Sequence, residues 1–361
     1  MRKGWEYKSF ETCINKLPKP KQVKTSEYSS GTKYPIISQE DKLISGYYDD
    51  ESYVFHIDSP VVIFGDHTRV LKYVDFDFVV GADGVKIISP KRELNAKFLL
   101  YYLQWYKIPN LGYSRHYKLL KEIKIPLPPK STQIEIVTEL DKINELIRLK
   151  KEQLKDFDNL AQSLFYEMFG DPVENEKGWE VKKLGEVCTF SQGMQVPIEN
   201  QKEIQNEGDV RFLRIIDFTQ GKDAPRYVEC DNDKYILHEK EIAIVRYGTP
   251  GFVCTGKIGA IANNLFKLNP LSDNIFVFEY LVHWLSTDAF QLSIRDKKYG
   301  AALQAIKFST IHSLEIIIPP LSLQRLFAQR IEQIEREKSE VQKSIQNLET
   351  LLASRMQYWF E

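Results

Sequence analysis

The sequence predicts an α+β protein in which two mixed α/β domains are joined by two long helices. The helices are predicted to form an antiparallel coiled coil, which gives the chain an internal pseudo-twofold symmetry. Three observations carry this prediction: the chain repeats itself once, each copy ends in a Pro-Pro junction, and apolar residues recur every 3.5 positions behind both junctions.

The internal repeat appears when the chain is set against itself. The matching segments lie 174 to 191 positions apart. They are "KGWEYKSFETC" with "KGWEVKKLGEVC", "FLLYYL" with "EYLVHWL", "IKIPLPP" with "LEIIIPP", and "NLAQSLFYEMF" with "TLLASRMQYWF". The stretches between them, 14–97 and 189–277, are much less alike. Two unlike recognition surfaces on one repeated frame are therefore predicted, and a duplication without functional asymmetry is the alternative.

The divergent stretches read as strands and loops. "SPVVIFGD" and "EIAIVRYGTPGF" each place a short apolar run before turn residues, which is typical of a buried strand. A helical stretch follows, and then a short strand before Pro-Pro. This order predicts an α+β domain of about 120 residues in each copy.

The two long helices are predicted from spacing. Behind Pro129 and Pro320, apolar side chains recur at alternating intervals of four and three, interrupted by Lys150 in the first helix and by Lys338 and Arg355 in the second. The predicted packing residues are Ile136, Leu140, Ile143, Ile147, Leu154, Phe157, Leu164, Met168, Phe327, Ile331, Ile334, Val341, Ile345, Leu348, Leu352 and Trp359. Because the two seams match in length and period, we expect the helices to pair with each other. Packing of each helix on its own domain is the alternative.

Composition and charge limit which kinds of protein this chain can be. The chain has 361 residues, 43% of them hydrophobic, and no apolar run approaches the length that spans a bilayer. We expect a cytoplasmic protein. The four cysteines include no C-x-x-C pair, and the six histidines show no ligand spacing, so buried free thiols and no metal are expected. The net charge of −1 does not point to nucleic acid, although residues 1–130 hold 21 Lys+Arg against 15 Asp+Glu.

Catalytic motifs are absent from the sequence. It holds no N-P-P-[YF] or G-x-G element for methyl transfer and no G-x-x-x-x-G-K-[ST] phosphate loop. Glu180 and Lys182 resemble part of a nuclease set, but no upstream Pro-Asp partner accompanies them. We therefore expect a protein with no catalytic site and no cofactor of its own.

The chain resembles the specificity subunits of type I restriction–modification systems. The resemblance rests on the two I-x-x-P-P-x-x-x-Q junctions, the long helices behind them and the central "MFGDPVENEKGWEVKKLGEV". It implies target-recognition domains at 1–130 and 178–320, spacer helices at 131–170 and 321–361, and a linker at 171–177. It also implies partners: double-stranded DNA read as two half-sites, methyltransferase (modification) subunits and restriction subunits. S-adenosylmethionine, ATP and Mg are expected only on those partner subunits.

Candidate DNA-contacting residues are polar or basic side chains in loops between apolar elements. Arg reads guanine, Asn and Gln read adenine, and Lys and Tyr often contact phosphate. In the first domain the candidates are His67, Thr68, Arg69, Tyr113, Ser114, Arg115, His116 and Lys118. In the second they are Arg246, Tyr247, Thr249, Asn263, Asn264, Lys297, Lys298, Tyr299 and Gln304.

Three other functions stay open at this point. A free-standing DNA-binding regulator would bind a bipartite site without methyltransferase subunits. A protein-only scaffold would show no salt-sensitive DNA binding. An enzyme with an unrecognised site would need several polar side chains that meet at one place in the fold.

Overall fold

The structure, a computed structural model, describes residues 4–31, 33–112, 114–220, 223–272, 274–294 and 305–361. It divides into two compact units. Unit 1 comprises Met1–Glu152 and Gln342–Glu361, and unit 2 comprises Gln153–Val341. The sequence predicts the long helices as segments separate from the two domains. In the structure, one part of each long helix belongs to unit 1 and the other part belongs to unit 2.

Unit 1 contains ten strands among its described residues. These are β1 (Glu6–Ser9), β2 (Gln22–Val23), β3 (Tyr34–Ile37), β4 (Gly46–Tyr48), β5 (Val54–Phe55), β6 (Val61–Gly65), β7 (Leu71–Val74), β8 (Phe78–Gly81), β9 (Val85–Ile88) and β10 (Lys124–Leu127). The α-helices that begin in unit 1 are α1 (Phe10–Cys13), α2 (Ala96–Tyr106), α3 (Tyr117–Lys121) and α4 (Lys130–Phe169). Short 3-10 helices lie at Thr25–Glu27 and Glu51–Tyr53.

The strands of unit 1 form three sheets. β1 pairs with β10, β6 lies between β7 and β9, and β8 and β3 form the centre of a mixed sheet with β2, β4 and β5. The run "VVIFG" of β6 is buried along its whole length, which is typical of a strand covered on both faces. One face of β6 packs with α2 and the start of α4 in the main core, and the other packs with β3 and β8.

Unit 2 also contains ten strands among its described residues. These are β11 (Glu180–Lys183), β12 (Cys188–Gln192), β13 (Asp209–Leu213), β14 (Arg226–Glu229), β15 (Ile236–Leu237), β16 (Ile242–Val245), β17 (Val253–Cys254), β18 (Gly259–Ile261), β19 (Leu265–Pro270) and β20 (Glu315–Ile318). The α-helices that begin in unit 2 are α5 (Leu184–Val187), α6 (Ile215–Thr219), α7 (Phe278–Ser286), α8 (Asp288–Ser293), α9 (Phe308–His312) and α10 (Leu321–Phe360). Short 3-10 helices lie at Ile198–Asn200 and Asp233–Tyr235.

The repeated segments build the same frame in both units. β1 pairs antiparallel with β10 in a register that places Glu6 opposite Leu127, and β11 repeats it against β20 with Glu180 opposite Ile318. β16 lies between β17 and β19, as β6 lies between β7 and β9. One difference is that β12 adds a fourth strand beside β19. The predicted α+β class and the two mixed domains are confirmed.

The Pro-Pro junctions are fixed by a buried glutamine. Gln133 donates from Nε2 to the carbonyls of Glu93 (2.9 Å) and Pro128 (3.0 Å) and accepts at Oε1 from the backbone N–H of Asn95 (2.8 Å). Since Asn95 caps α2, one side chain joins the start of α2 to the start of α4.

Unit 2 repeats the glutamine arrangement. Gln324 donates to the carbonyls of Ile275 (3.1 Å) and Pro319 (2.8 Å) and accepts from the N–H of Val277 (2.8 Å). Its relative exposure is 0%, and that of Gln133 is 1%. The Pro-Pro-x-x-x-Gln pattern is therefore a structural joint between each globular part and its long helix.

The long helices pair antiparallel, as predicted, and both are 40 residues long. In unit 1 the first half of α4 lies against the end of α10: Arg355 and Trp359 both donate to Glu139, and Lys151 pairs with Glu349 at 2.9 Å. The seam residues of unit 1 are all buried or half-buried: Ile136, Leu140, Ile143, Ile147, Ile345, Leu348, Leu352 and Trp359.

Unit 2 contains the other parts of the two helices. Phe327, near the start of α10, packs against Phe165 (5.8 Å between ring centroids) and Phe169 (5.2 Å), at the end of α4. Lys338 pairs with Asp158 at 2.8 Å. The seam residues of unit 2 are also buried or half-buried: Leu154, Phe157, Leu164, Met168, Phe327, Ile331, Ile334 and Val341. The alternative in which each helix packs on its own domain alone is wrong.

Three of the four thiols are buried as expected, and Cys230 is partly exposed. Burial raises the pKa of Cys188 and of Cys254 to about 12, so both remain protonated and unreactive.

Candidate nucleic-acid interface

Two loops of unit 1 that hold predicted DNA contacts lie side by side. Asp66, directly after β6, organises them: its backbone carbonyl accepts from the N–H of His116 (2.9 Å), and its carboxylate accepts from the N–H of Tyr117 (2.7 Å). Arg69 donates from Nη1 to the carbonyl of Ile108 (3.2 Å). The loop 66–69 and the segments 108–112 and 114–117 therefore form one edge of the unit.

The side chains of loop 66–69 are partly used to hold the loop. Thr68 is exposed, but its hydroxyl donates to the carbonyl of Gln39 (2.7 Å). The N–H of His67 donates to Oε1 of the same Gln39 (3.2 Å). Arg69 has a φ of +63°, a left-handed conformation that turns the chain back into β7. Thr68 lies at the surface, and His67 and Arg69 are half-buried.

His116 does not reach the surface, so the direct DNA contact that the sequence suggests is wrong for this residue. Its relative exposure is 0%. Nδ1 lies 2.9 Å from the carbonyl of Asp66, and Nε2 accepts from the N–H of Leu111 (3.0 Å). A carbonyl can only accept, so Nδ1 acts as the donor of this pair, while Nε2 acts as an acceptor. His116 supports the loop instead of reading bases.

The neighbours of His116 differ in exposure. Arg115 and Lys118 are exposed. Ser114 is half-buried, and its hydroxyl makes no hydrogen bond within the described parts of the chain. Tyr113 lies outside the described residues. Arg115 and Lys118 are thus the members of this loop that can contact DNA without rearrangement.

Unit 2 brings its predicted residues together at the corresponding edge. The N–H of Arg246, directly after β16, donates to the carbonyl of Asn264 (2.8 Å), and its carbonyl accepts from Ile306 (2.9 Å). The Arg246 side chain donates from Nε to the carbonyl of Ile306 (3.1 Å) and lies over the Phe308 ring at 5.3 Å. The hydroxyl of Tyr247 donates to Oδ1 of Asn263 (3.1 Å).

The other candidates of unit 2 fall into two groups. Thr249 is exposed in the same loop, and Asn264 is half-buried, with an Oδ1 that has no hydrogen-bond partner among the residues the structure covers. The rest lie outside the described residues, and they are Lys297, Lys298, Tyr299 and Gln304.

Asp66 and Arg246 occupy the same structural position with opposite charge. The N–H of each donates to a hairpin carbonyl, that of Gly84 or of Asn264. The carbonyl of each accepts from the following loop, at His116 or at Ile306. The frame is therefore shared, while the side chain at this position differs: the Asp66 carboxylate is buried and holds its loop, whereas Arg246 is half-buried.

Sequence reasoning missed the residues that hold these loops. Gln39, Asp66 and Gln192 are examples, the last because its Nε2 donates to the carbonyl of Asn263 (2.9 Å). Their roles depend on contacts between segments far apart in the chain, and only the position of Asp66 after an apolar run hints at its role.

The two residues that resemble part of a nuclease set lie at the surface of unit 2. Lys182 and Glu180 form an exposed ion pair at 3.1 Å. No group of three or more His, Cys, Asp or Glu residues suited to a metal ion is found in the parts of the chain that the structure covers. Across those same parts, every helix is too short or too polar to cross a bilayer.

Comparisons with known proteins agree with this architecture. The family model for the type I restriction modification DNA specificity domain matches residues 3–156 and again 176–350. The specificity subunit of the Escherichia coli type I restriction enzyme EcoR124I/EcoR124II is 24% identical over 340 residues, which are 86% of this chain and 82% of that protein.

Two solved structures share the fold. The type I restriction–modification S subunit from M. genitalium aligns with a TM-score of 0.55 at 16% identity, over 98% of this chain and 95% of that one. A chain from work on complex assembly and conformational transition of the type I R-M system aligns with a TM-score of 0.59 at 19% identity, over 100% and 98%. With both of its units matched by the family model, the chain belongs to the type I restriction–modification DNA specificity family.

Proposed function

We propose that the chain is the non-catalytic recognition subunit of a type I restriction–modification complex, and that each unit reads a different half of a bipartite, asymmetric DNA target. In this proposal the paired helices fix the gap between the half-sites. Methyltransferase and restriction subunits assemble on the chain in the cytoplasm and hold S-adenosylmethionine, ATP and Mg. The chain itself holds no cofactor.

The observation that carries the proposal is the shared frame with unlike edges. Both units use the same strand ladder and the same buried glutamine, yet one edge is built on Asp66 and the other on Arg246. The buried Asp66 carboxylate orders the loop that carries the exposed Arg115, whereas the half-buried Arg246 itself carries a guanidinium, the group that pairs with guanine or phosphate. Two similar frames with different side chains at one position suit two different half-site sequences.

The direct test is to express the chain with a type I methyltransferase (modification) subunit from the same organism in a host that lacks other DNA methylation. We expect co-purification of the two proteins and methylation of one bipartite, asymmetric motif, detected by single-molecule sequencing. Methylation without sequence preference would contradict the proposal.

A second arm assigns each half-site to a unit. Replacement of loop residues in unit 1 alone should change one half of the methylated motif and leave the other half and the gap intact. A free-standing regulator would bind the site without the methyltransferase, and a protein scaffold would show no salt-dependent DNA binding.

A further inference from the structure

The sheet beside the unit 1 interface lacks one strand. In unit 2, β12 covers the outer edge of β19 along Cys188–Gln192. The corresponding sheet of unit 1 ends at β9, where the approaching chain makes a single bridge, from Ile14 to Pro90. Pro18 and Pro20 follow in that chain. Because proline has no N–H to give to a ladder, this segment does not continue along β9.

An open cleft of about 850 Å³ lies between this proline-containing segment and β9. The N–H of Asn15 donates to the carbonyl of Ser89 (2.8 Å), which shows that Ser89 faces the open edge. Since backbone groups alternate along a strand, Val85 and Ile87 face the cleft as well. Arg115, from the loop at the candidate interface, also lines the cleft.

The cleft carries an excess of unpaired positive charge. Lys16, Lys19 and Arg115 line it, are exposed, and form no ion pair with any described residue. Two further cations are partly neutralised: Lys86 lies 3.7 Å from the carboxylate of Asp66, and Lys121 pairs with Glu11 at 2.9 Å. Asp83 is the remaining acidic side chain of the lining.

We propose that this cleft binds the sugar–phosphate backbone of the DNA that unit 1 reads, and that Lys16 and Lys19 each contact a phosphate. The inference rests on the proposed function and adds a position for one strand of the duplex. Lysine side chains on long stems and exposed backbone N–H groups are common phosphate ligands. Arg115 joins the cleft to the base-reading loop, so the two surfaces are continuous.

An acidic peptide that adds a strand to β9 is the competing occupant, and the geometry disfavours it. Strand addition needs a run of backbone pairs along the edge. Here the open edge offers Val85 and Ile87 alone before Ser89 pairs with Asn15. Unit 2 has β12 in this place, so phosphate binding of this kind is a property of unit 1.

The test uses the full chain assembled with its methyltransferase, carrying Lys16→Gln and Lys19→Gln together. Affinity for DNA is measured over a range of salt concentrations with three duplexes. The first contains the motif that the complex methylates, the second has the half-site read by unit 1 altered, and the third has the half-site read by unit 2 altered. Lys24→Gln with Lys42→Gln is the matched control, because both lysines are exposed in unit 1 and lie outside the cleft.

We expect log affinity to fall less steeply with log salt in the double variant: the magnitude of the negative slope should decrease by about 1.8, which is about 0.9 for each lost phosphate contact. Affinity should fall by the same factor for all three duplexes, so the discrimination ratios should stay at the wild-type value. The control should keep the wild-type slope.

Three results would overturn the inference. They are an unchanged salt slope, a changed discrimination ratio, which would make the lysines base readers, and binding of a labelled poly-glutamate peptide that DNA does not displace. Failure of the proposed function is a separate result, since the wild-type complex would then show no discrimination among the three duplexes.

Discussion

Gln133 and Gln324 show how one residue type can explain a sequence motif. Each is almost fully buried, and each makes three hydrogen bonds to backbone groups of two different segments. A glutamine amide supplies both donors and an acceptor in one plane, which an apolar side chain of similar size cannot do. The residue is required by the joint and not by DNA.

We expect Gln324→Ala to destabilise unit 2 by about 2 kcal/mol or more, because buried donors and acceptors lose their partners. Gln133→Ala should act in the same way on unit 1. Hydrogen exchange of the full chain measures this, with faster exchange expected in the unit that carries the change. Gln329→Ala, at an exposed position of α10, is the control and should be nearly neutral. If Gln324→Ala and Gln329→Ala changed hydrogen exchange equally, the structural role of Gln324 at the Pro-Pro junction would be contradicted.

Arg115 is a candidate base reader that the structure leaves accessible. It is exposed and forms no ion pair with a described residue, whereas Arg246 is held by the Ile306 carbonyl. If Arg115 contacts guanine with both nitrogens, Arg115→Ala should weaken specific binding by about 1–3 kcal/mol and relax discrimination at one base pair. Titration of matched and mismatched duplexes measures both effects. Lys118→Ala, which is exposed in the same segment, should leave discrimination unchanged.

At the scale of elements, the long helices were predictable because their signal is local. A period of 3.5 needs only neighbouring residues, and Pro-Pro before and Gly170 after α4 limit its extent. Gly170 adopts a φ of +77°, and its N–H closes the helix by donating to the carbonyl of Tyr166 (2.8 Å).

The sheets were less predictable because their pairing is non-local. The parallel pairing of β3 with β8 joins segments about 40 residues apart, and no pattern in either strand specifies it. Lys72 and Lys267 lie in strands between apolar residues, and a charged residue in such an alternating pattern usually points to solvent. Both are instead buried and donate to backbone carbonyls, those of Ser38 (2.9 Å) and Ile236 (2.8 Å).

The helix seam differs between the units at one polar cluster. In unit 1, Glu139 accepts from Arg355 and Trp359; the seam positions of unit 2 that correspond to these two residues are Leu164 and Met168. The residue that corresponds to Glu139 in α10 is Arg330. Pairing of α10 with a second copy of itself would place Arg330 against Arg355. The cluster therefore favours pairing of α4 with α10.

The Glu139 cluster predicts an acid-sensitive helix pair. Hydrogen bonding from Arg355 holds the pKa of Glu139 below its ordinary value of 4.5. A lowered pKa in the folded state contributes stability that is present above the unfolded pKa and is lost as pH falls through the folded one. We expect the protection of amides in the last turns of α10, taken relative to the intrinsic hydrogen-exchange rate at each pH, to fall below about pH 4.5. Glu139→Gln should reduce this pH dependence, and an unchanged profile would refute the role of the cluster.

At the scale of the whole molecule, the sequence predicted the two domains and their long helices better than it predicted which loop residues are exposed to contact DNA. The repeat identified the two domains and the helices that join them, because those segments must keep the same packing in both copies. It could not identify which polar loop residues face outward: His116 and Arg115 are adjacent, yet one is buried and the other exposed. Exposure of such residues depends on Asp66, which lies about 50 positions earlier.

The claim that depends most on the whole molecule is that the paired helices set the gap between the half-sites. It is tested by inserting one heptad after Lys151 and one before Glu349, two residues that pair at 2.9 Å, so that the antiparallel seam stays in register. Seven residues lengthen each helix by about 10.5 Å, or about three base pairs.

Single-molecule sequencing of DNA methylated by the complex that contains this extended chain is the measurement. We expect methylation of the same two half-site sequences, separated by about three more base pairs. Methylation at the original gap, or a change in either half-site sequence, would contradict it.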